Sequence, residues 1–254
     1  MELFDCNCWY GVPDQPPLAP ATRPEQVLEE MDRCGIARAL VRNAAIFNQT
    51  PEVGNRLTLE AAAVSDRLVP AWGILPPQTG ELGDVDDFLG AMRDTGVRAL
   101  WAYPLVHRYL LSTTTMGGLL DELQDRGIPL FLHRRTGFEG AAGVYETADR
   151  ILADFPMLNL IVVAHGSWGE DRYFRPLMEC YPNFAVDTSR YELDGGIEEI
   201  CAGYGPERLL FGTNFPETPM GGPMLTLLHA DISDEERALI AGGNLAAMLE
   251  GVRL

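Results

Sequence analysis

A single (β/α)8 barrel of the TIM type, in the α/β class and running over residues 1–254 as one domain, is the fold this sequence predicts. Three observations predict it. Short apolar runs alternate with amphipathic helical stretches eight times, and strict alternation implies parallel strands with right-handed crossovers. The apolar runs are nearly continuous, as in Leu160-Ile161-Val162-Val163-Ala164, which suits strands covered on both sides. Several runs end abruptly in polar or aromatic residues, the way barrel strands deliver side chains to one mouth. The chain has 254 residues, with no Ser/Gly linker or charge run to divide it, and barrels of about 250 residues are common.

The first strand covers Leu3 to Trp9. A proline-rich stretch from Gly11 to Pro24 follows, too irregular for a strand and too rich in proline for a helix, and of a length that fits a functional loop over a pocket. Thr22 is placed to cap the next helix, with Val27, Leu28, Met31 and Cys34 at helical spacing and Gly35 as its stop. Ala39 to Val41 is the second strand, with Arg42 and Asn43 at its tip. Pro51 to Asp66 reads as helix and Leu68 to Leu75 as strand, closed by Pro76-Pro77. Val85 to Thr95 is helical up to Gly96, and Val97 to Tyr103 is a strand closed by Pro104. Met116 to Arg126 is helical up to Gly127, and Pro129 to His133 is the fifth strand. Val144 to Phe155 is a helix and Leu158 to His165 a strand. Trp168 to Tyr181 is largely helical, Asn183 to Asp187 a strand and Ile197 to Tyr204 a helix. The eighth strand, Arg208 to Phe211, opens through Gly212 and Thr213 onto Asn214, and Pro216 prevents its continuation. Ser233 caps a closing helix to about Leu249, with Asp234, Glu235 and Glu236 in its first turn.

The formal charge is −18, from 19 basic and 37 acidic residues. A surface of that sign argues against non-specific binding to nucleic acid or to an anionic membrane, although local arginines can still make one cleft cationic. No run approaches the roughly 20 apolar residues of a membrane span. Five cysteines, an odd number, follow a start with neither a basic region nor a long apolar one, so free thiols in a reducing cytoplasm are expected. Cys6 and Cys8 share a face in an ideal strand, opposite Asn7 and Trp9, and no second Cys/His pair stands at zinc-ribbon spacing.

The strand tips carry Asn7 and Trp9, Arg42 and Asn43, Gly73, Trp101 and Tyr103, His133 and Arg134, His165, Asp187 and Arg190, and Asn214. Two of the four histidines stand at successive tips. With these motifs in order, the sequence resembles the amidohydrolase superfamily, and within it the amidohydrolase-related branch of aminocarboxymuconate semialdehyde decarboxylase and related decarboxylases and hydratases. FDCNCWYG stands where the family has Asp-x-His-x-His-x-Gly. IPLFLHRR resembles its fifth strand, LNLIVVAHGSWG its sixth and PNFAVDTSR its seventh. RLLFGTNFP resembles the eighth, where the family has Gly-Ser/Thr-Asp-x-Pro, and IAGGNLAAML its closing helix.

In metal-bearing members of the family, the first-strand histidine pair, the fifth-strand histidine and the eighth-strand aspartate bind a divalent metal. Here those positions read Asn7, Trp9, His133 and Asn214. Indole offers an N–H and no lone pair, and a neutral amide is a poor substitute for carboxylate. The expectation is therefore no cofactor, with a divalent metal such as zinc as the alternative.

His165 matches the sixth-strand histidine, which acts on substrate or attacking water in relatives, and imidazole is suited to general-base work without a metal. The expected catalytic residues are His165, His133 and Asn214. Asn7, Trp9, Arg42, Tyr103, Arg134 and Arg190 are expected to bind a small, anionic, carboxylated substrate, since the guanidinium fork suits carboxylate. The main functional expectation is a metal-independent hydrolase of an ester or lactone with His165 as base. The alternatives are a decarboxylase or hydratase, or a non-catalytic small-acid binder whose pocket Trp9 plugs. The resemblance also implies a homodimer. His107 and His229 fall in predicted loops and are expected at the exposed surface.

Overall fold

The computed structural model describes residues 1–17, 19–134, 141–165 and 169–254. Strands β1 (Leu3–Tyr10), β2 (Ile36–Asn43) and β3 (Leu68–Pro70) pair in parallel in that order. Strands β4 (Trp72–Gly73), β5 (Leu100–Ala102), β6 (Leu130–His133), β7 (Leu160–Val163), β8 (Phe184–Asp187) and β9 (Leu209–Leu210) form a second parallel run, also in chain order. The third predicted strand is thus split at Ala71, whose N–H still donates to Val41 C=O at 2.9 Å. The two runs also meet at their outer ends. Cys6 N–H donates to Phe211 C=O at 2.8 Å, and Trp9 N–H to Phe215 C=O at 2.9 Å. These bonds bring the last strand against the first, as a barrel requires.

Alternation along the strands sorts the core into two layers. Phe131, Ile161 and Val163 point into the inner cluster with Phe4, Leu40 and Trp101, and Leu245 and Leu249 join it from the last helix, α11 (Asn244–Glu250). Leu130, Leu132, Leu160 and Val162 point outward to the helical layer. Strand β1 departs from this alternation. Its register shifts between Asp5 and Cys8, so Cys6 joins the inner cluster and Cys8 the outer one. The expectation that both thiols share one face fails because a bulge resets the period of two.

The helices stop where their glycines predicted. α1 (Pro24–Cys34), α4 (Val85–Thr95) and α5 (Thr113–Arg126) end at Gly35, Gly96 and Gly127, all in the left-handed region. α3 (Pro51–Ala62) ends earlier than predicted. The remaining crossover helices are α6 (Ala141–Asp154), α7 (Asp171–Cys180) and α8 (Gly196–Tyr204). The predicted closing helix is interrupted by a π-helical turn, Leu239–Gly243, between α10 (Asp234–Ala238) and α11. There the backbone of Gly242 passes so near β1 that a Cβ would lie 2.8 Å from Glu2 O.

Two helices escaped sequence reading, α2 (Ala45–Asn48) and α9 (Gly221–His229). α2 starts where the Asn43 side chain accepts from Ala45 N–H at 2.9 Å, and it packs so tightly on α3 that a Cβ on Gly54 would stand 2.3 Å from Ile46 N. His229 ends α9 rather than lying in a loop, and His107 is half-buried, its Nε2 2.7 Å from Ile46 O. Among the described residues no helix is long and apolar enough to cross a membrane.

Candidate active site at the strand ends

The bulge in β1 turns Asp5 toward the end of the eighth strand. Its carboxylate, fully buried, accepts from Thr213 N–H at 2.9 Å, from Thr213 Oγ1 at 2.5 Å and from Asn7 N–H at 2.9 Å. Burial raises the Asp5 pKa to about 6, against the opposing pull of those bonds. The next polar layer is built on Asp187 at the tip of β8. Its carboxylate accepts from Asn7 Nδ2 at 3.0 Å and from Ala164 N–H at 2.8 Å. Burial raises its pKa also, while His165 beside it pulls the other way.

His165 is enclosed. Its ring lies 5.3 Å from that of Phe174 and 5.2 Å from that of Tyr191, and its Nε2 is 2.6 Å from the Asp187 carbonyl oxygen. A carbonyl only accepts, so Nε2 carries the proton. Asn214 has φ +55°, a conformation asparagine tolerates, and its Nδ2 donates to Glu217 Oε2 at 3.4 Å. The carbonyl oxygens of Asn7 and Asn214 are both buried without a hydrogen-bond partner among the described residues.

Nearer the mouth, a cavity of about 190 Å³ is lined by Trp9, Arg42, Phe47, Tyr103, Val106, His133 and Glu217. Arg42 is 1 % exposed. Its Nε donates to Tyr103 Oη at 2.7 Å, one Nη donates to Cys8 C=O at 3.2 Å, and the guanidinium lies 3.5 Å from the centre of the Trp101 ring. Among the described residues no carboxylate stands in ion-pair contact with it. Trp101 stacks on Phe131 behind, at 5.1 Å between centroids, so it braces Arg42 rather than lining the cavity. Burial pushes the Tyr103 hydroxyl up to about 12, with Arg42 opposing, so at neutral pH it is a hydrogen-bonding phenol.

Of the residues predicted for the site, Trp9, Arg42, Tyr103 and His133 meet around this cavity. Asn7, Asn214 and His165 lie in the buried layer of hydrogen bonds at the strand ends. Arg134 is committed elsewhere, its Nε 2.5 Å from Oε1 of buried Glu170, which also accepts from Tyr145 Oη at 3.1 Å. Arg190 is half-buried beyond β8 and is not part of the described cavity wall. Arg135 and Trp168 lie outside the described residues. Sequence reading missed Phe47, Val106 and Glu217. Glu217 was visible just past the eighth strand, but Phe47 reaches the cavity only through the unpredicted helix α2.

Parallel strands in barrel order, with aromatic, cationic and imidazole side chains gathered at their C-terminal ends, define the class: a TIM barrel with its candidate site at the usual mouth. Residues 11–250 match the family described as Amidohydrolase, and the chain belongs to that family. Among solved structures it is similar to a TIM-barrel protein of Bordetella bronchiseptica, at 19% identity and TM-score 0.76 over 99% of each chain. It is similar to 5-carboxyvanillate decarboxylase from Sphingomonas paucimobilis, at 15% identity and TM-score 0.71 over 99% of each chain. A dihydroxybenzoic acid decarboxylase from Polaromonas, with bound manganese and the inhibitor 2-nitroresorcinol, matches at 16% identity and TM-score 0.74, over 98% of this chain and 97% of that one. At such identities the likeness carries the fold. No curated protein matches the sequence.

Proposed function

We propose that the protein is a decarboxylase of small hydroxylated aromatic acids that works without a bound metal. The observation that carries this reading is Arg42: a buried guanidinium, without a carboxylate in ion-pair contact among the described residues, on the wall of a cavity that Trp9, Phe47 and Tyr103 share with His133, Val106 and Glu217. Such a cation is costly to bury alone, and a planar anion entering the cavity offsets that cost. The solved relatives named as decarboxylases of carboxylated phenols favour this chemistry over hydrolysis. Trp9 forms a wall of an open cavity rather than plugging it, which favours turnover over mere binding.

The manganese of a relative does not carry over. The corresponding donor set here is Asn7, Trp9, His133 and Asn214. The Asn7 amide nitrogen is spent on Asp187, and the Trp9 indole packs edge-on to Phe47 at 5.3 Å. One imidazole and two amide oxygens do not make a site for a transition metal.

In the proposed reaction the fork of Arg42 holds the phenolic oxygen and the neighbouring carboxylate. The hydroxyl gives its proton to water, the resulting phenolate pushes an electron pair to the ring carbon that bears the carboxylate, and His133, as imidazolium, gives that carbon its proton. The carbon–carboxylate bond then breaks, its electron pair restores the aromatic ring, and CO2 leaves. Water returns a proton to His133. Arg42 and the Tyr103 hydroxyl act on the oxygen whose charge changes along the path, while Trp9, Phe47 and Val106 keep water from the departing group.

The test is incubation with ortho-hydroxybenzoates in D2O, read by mass spectrometry. Release of CO2 with one deuteron on the ring carbon is the expected result. Incorporation of solvent oxygen into an acid product from an ester or lactone, with no CO2 from any aromatic acid, would overturn it.

A further inference from the structure

Two walls of the Arg42 cavity come from outside the barrel strands: Phe47 from α2, and Val106 from the loop between β5 and α5. Helix α2 has no slack. Ile46 is fully buried, and Gly73 lies so close that a Cβ there would stand 2.6 Å from Ile46 Cγ2. The loop is the softer wall, with Val106 47 % exposed, and a side chain ties it to α2. His107 Nε2 lies 2.7 Å from Ile46 O. A carbonyl only accepts, so Nε2 carries the proton and donates it. Helix α2 ends at Asn48, so this carbonyl is among its last four, which find no donor inside a helix. Ile46 directly precedes Phe47 and His107 directly follows Val106, so the bond clasps one cavity wall to the other. The loop is bent to meet it. His107 N–H donates to Tyr103 C=O at 3.0 Å, Tyr109 N–H donates to Pro104 C=O at 3.0 Å, and Arg108 takes φ +56°, which is uncommon for a residue other than glycine. The His107 ring also meets that of Tyr103 edge-on, at 6.4 Å between centroids.

We infer that His107 is a positioning residue that sets the size of the substrate: by clasping the Val106 loop to α2, it holds the cavity to acids of one ring. This rests on the cavity being the acid's binding site. Its volume of about 190 Å³ is little more than the roughly 150 Å³ that takes up one benzene ring. A fused second ring must push Val106 outward, and the clasp resists that movement, as a packed wall resists an oversize group.

The experiment is calorimetric binding of two acids with the same ortho hydroxyl and carboxylate, 2-hydroxybenzoate and 1-hydroxy-2-naphthoate, with melting temperatures measured alongside. The native protein is expected to bind the one-ring acid at least about tenfold tighter, the usual penalty for overfilling a packed site. His107→Ala strands the Ile46 carbonyl and frees the loop, and is expected to narrow that gap at least about threefold, the scale of one lost hydrogen bond. His107→Gln, whose amide nitrogen reaches the same carbonyl, is expected to restore the gap. Val106→Ala trims the wall without touching the clasp and is expected to narrow the gap too, which keeps the size limit testable even where His107→Ala melts early. Equal binding of both acids by the native protein, an unchanged gap in folded His107→Ala or in Val106→Ala, or no recovery in His107→Gln would overturn the clasp and leave the reading of Arg42 standing. Failure of the native protein to bind either acid would overturn the Arg42 assignment and the clasp's role with it.

Discussion

The Nε of Arg42 donates to the hydroxyl oxygen of Tyr103 at 2.7 Å. That bond joins the second and fourth predicted strands across the barrel mouth, and it fixes the plane of the guanidinium over Trp101. A planar cation held on one edge by a phenol and on one face by an indole has its remaining donors aimed in a set direction. A guanidinium so held loses little further freedom when an anion binds it.

Arg42→Met is expected to lower kcat/KM on the cognate acid by about a hundredfold, the usual loss for one oxyanion donor, without lowering the melting temperature. Removing a buried charge that lacks a carboxylate partner relieves a desolvation cost. Arg42→Lys is not expected to rescue, because an ammonium lacks the planar fork. A melting point lowered by more than about 5 °C, on the scale of about 2–4 °C per kcal/mol for a domain of this size, would make Arg42 a structural residue instead.

His133→Gln is expected to lower kcat by about 10²–10⁴, the range for a lost general acid, with substrate binding nearly unchanged. Steady-state kinetics beside calorimetry separates the two effects. Equal loss of binding and turnover would mean that His133 holds the substrate rather than protonating it.

Purified protein is expected to carry less than about a tenth of an equivalent of zinc or manganese by elemental mass spectrometry, since a true site approaches full occupancy. Activity is expected to survive chelation. One equivalent of metal, lost together with activity, would show that His133 recruits ligands beyond Asn7, Trp9 and Asn214.

Asp5 makes stability depend on pH with a definite sign. Its pKa is raised from 3.8 to about 6 by burial, so the folded state holds this proton more tightly than the unfolded chain does. The contribution is fully present below about pH 4 and is lost as pH rises through 6. The span corresponds to at most about 3 kcal/mol, at about 1.4 kcal/mol per unit. Urea midpoints between pH 4 and 7 are expected to fall less steeply for Asp5→Asn than for the native protein. Parallel slopes would mean that Asp5 titrates normally.

Arg134→Ala is expected to cost about 2 kcal/mol of stability, by stranding the buried carboxylate of Glu170, and to leave KM within about twofold, because no substrate contact is lost in this reading. A raised KM with unchanged stability would restore the substrate-binding role expected from its strand-tip position.

Much of the architecture was legible in the chain because it is written in local physics. The period of two in Leu130 to Leu132, the period of 3.6 in Val27 to Cys34, and glycines placed to take a left-handed turn at 35, 96 and 127 each act within a few residues. The strand tips followed, since a parallel barrel presents them all at one end, and Trp9, Arg42, Tyr103 and His133 do line one cavity there. α2 was not legible. It is a four-residue helix with no room for a periodic pattern, and it depends on the Asn43 side chain and on Gly54 from another element.

What the sequence by itself determined is the set of side chains sent to the barrel mouth. What only the tertiary structure decided is which of those side chains are already spent. Arg134 meets Glu170 across 36 positions and Asn7 meets Asp187 across 180, while Arg42 has no acid in ion-pair contact among the described residues. Charge neutralisation is a property of distance in space, falling within a few ångströms, and no local pattern in a chain encodes which carboxylate will arrive.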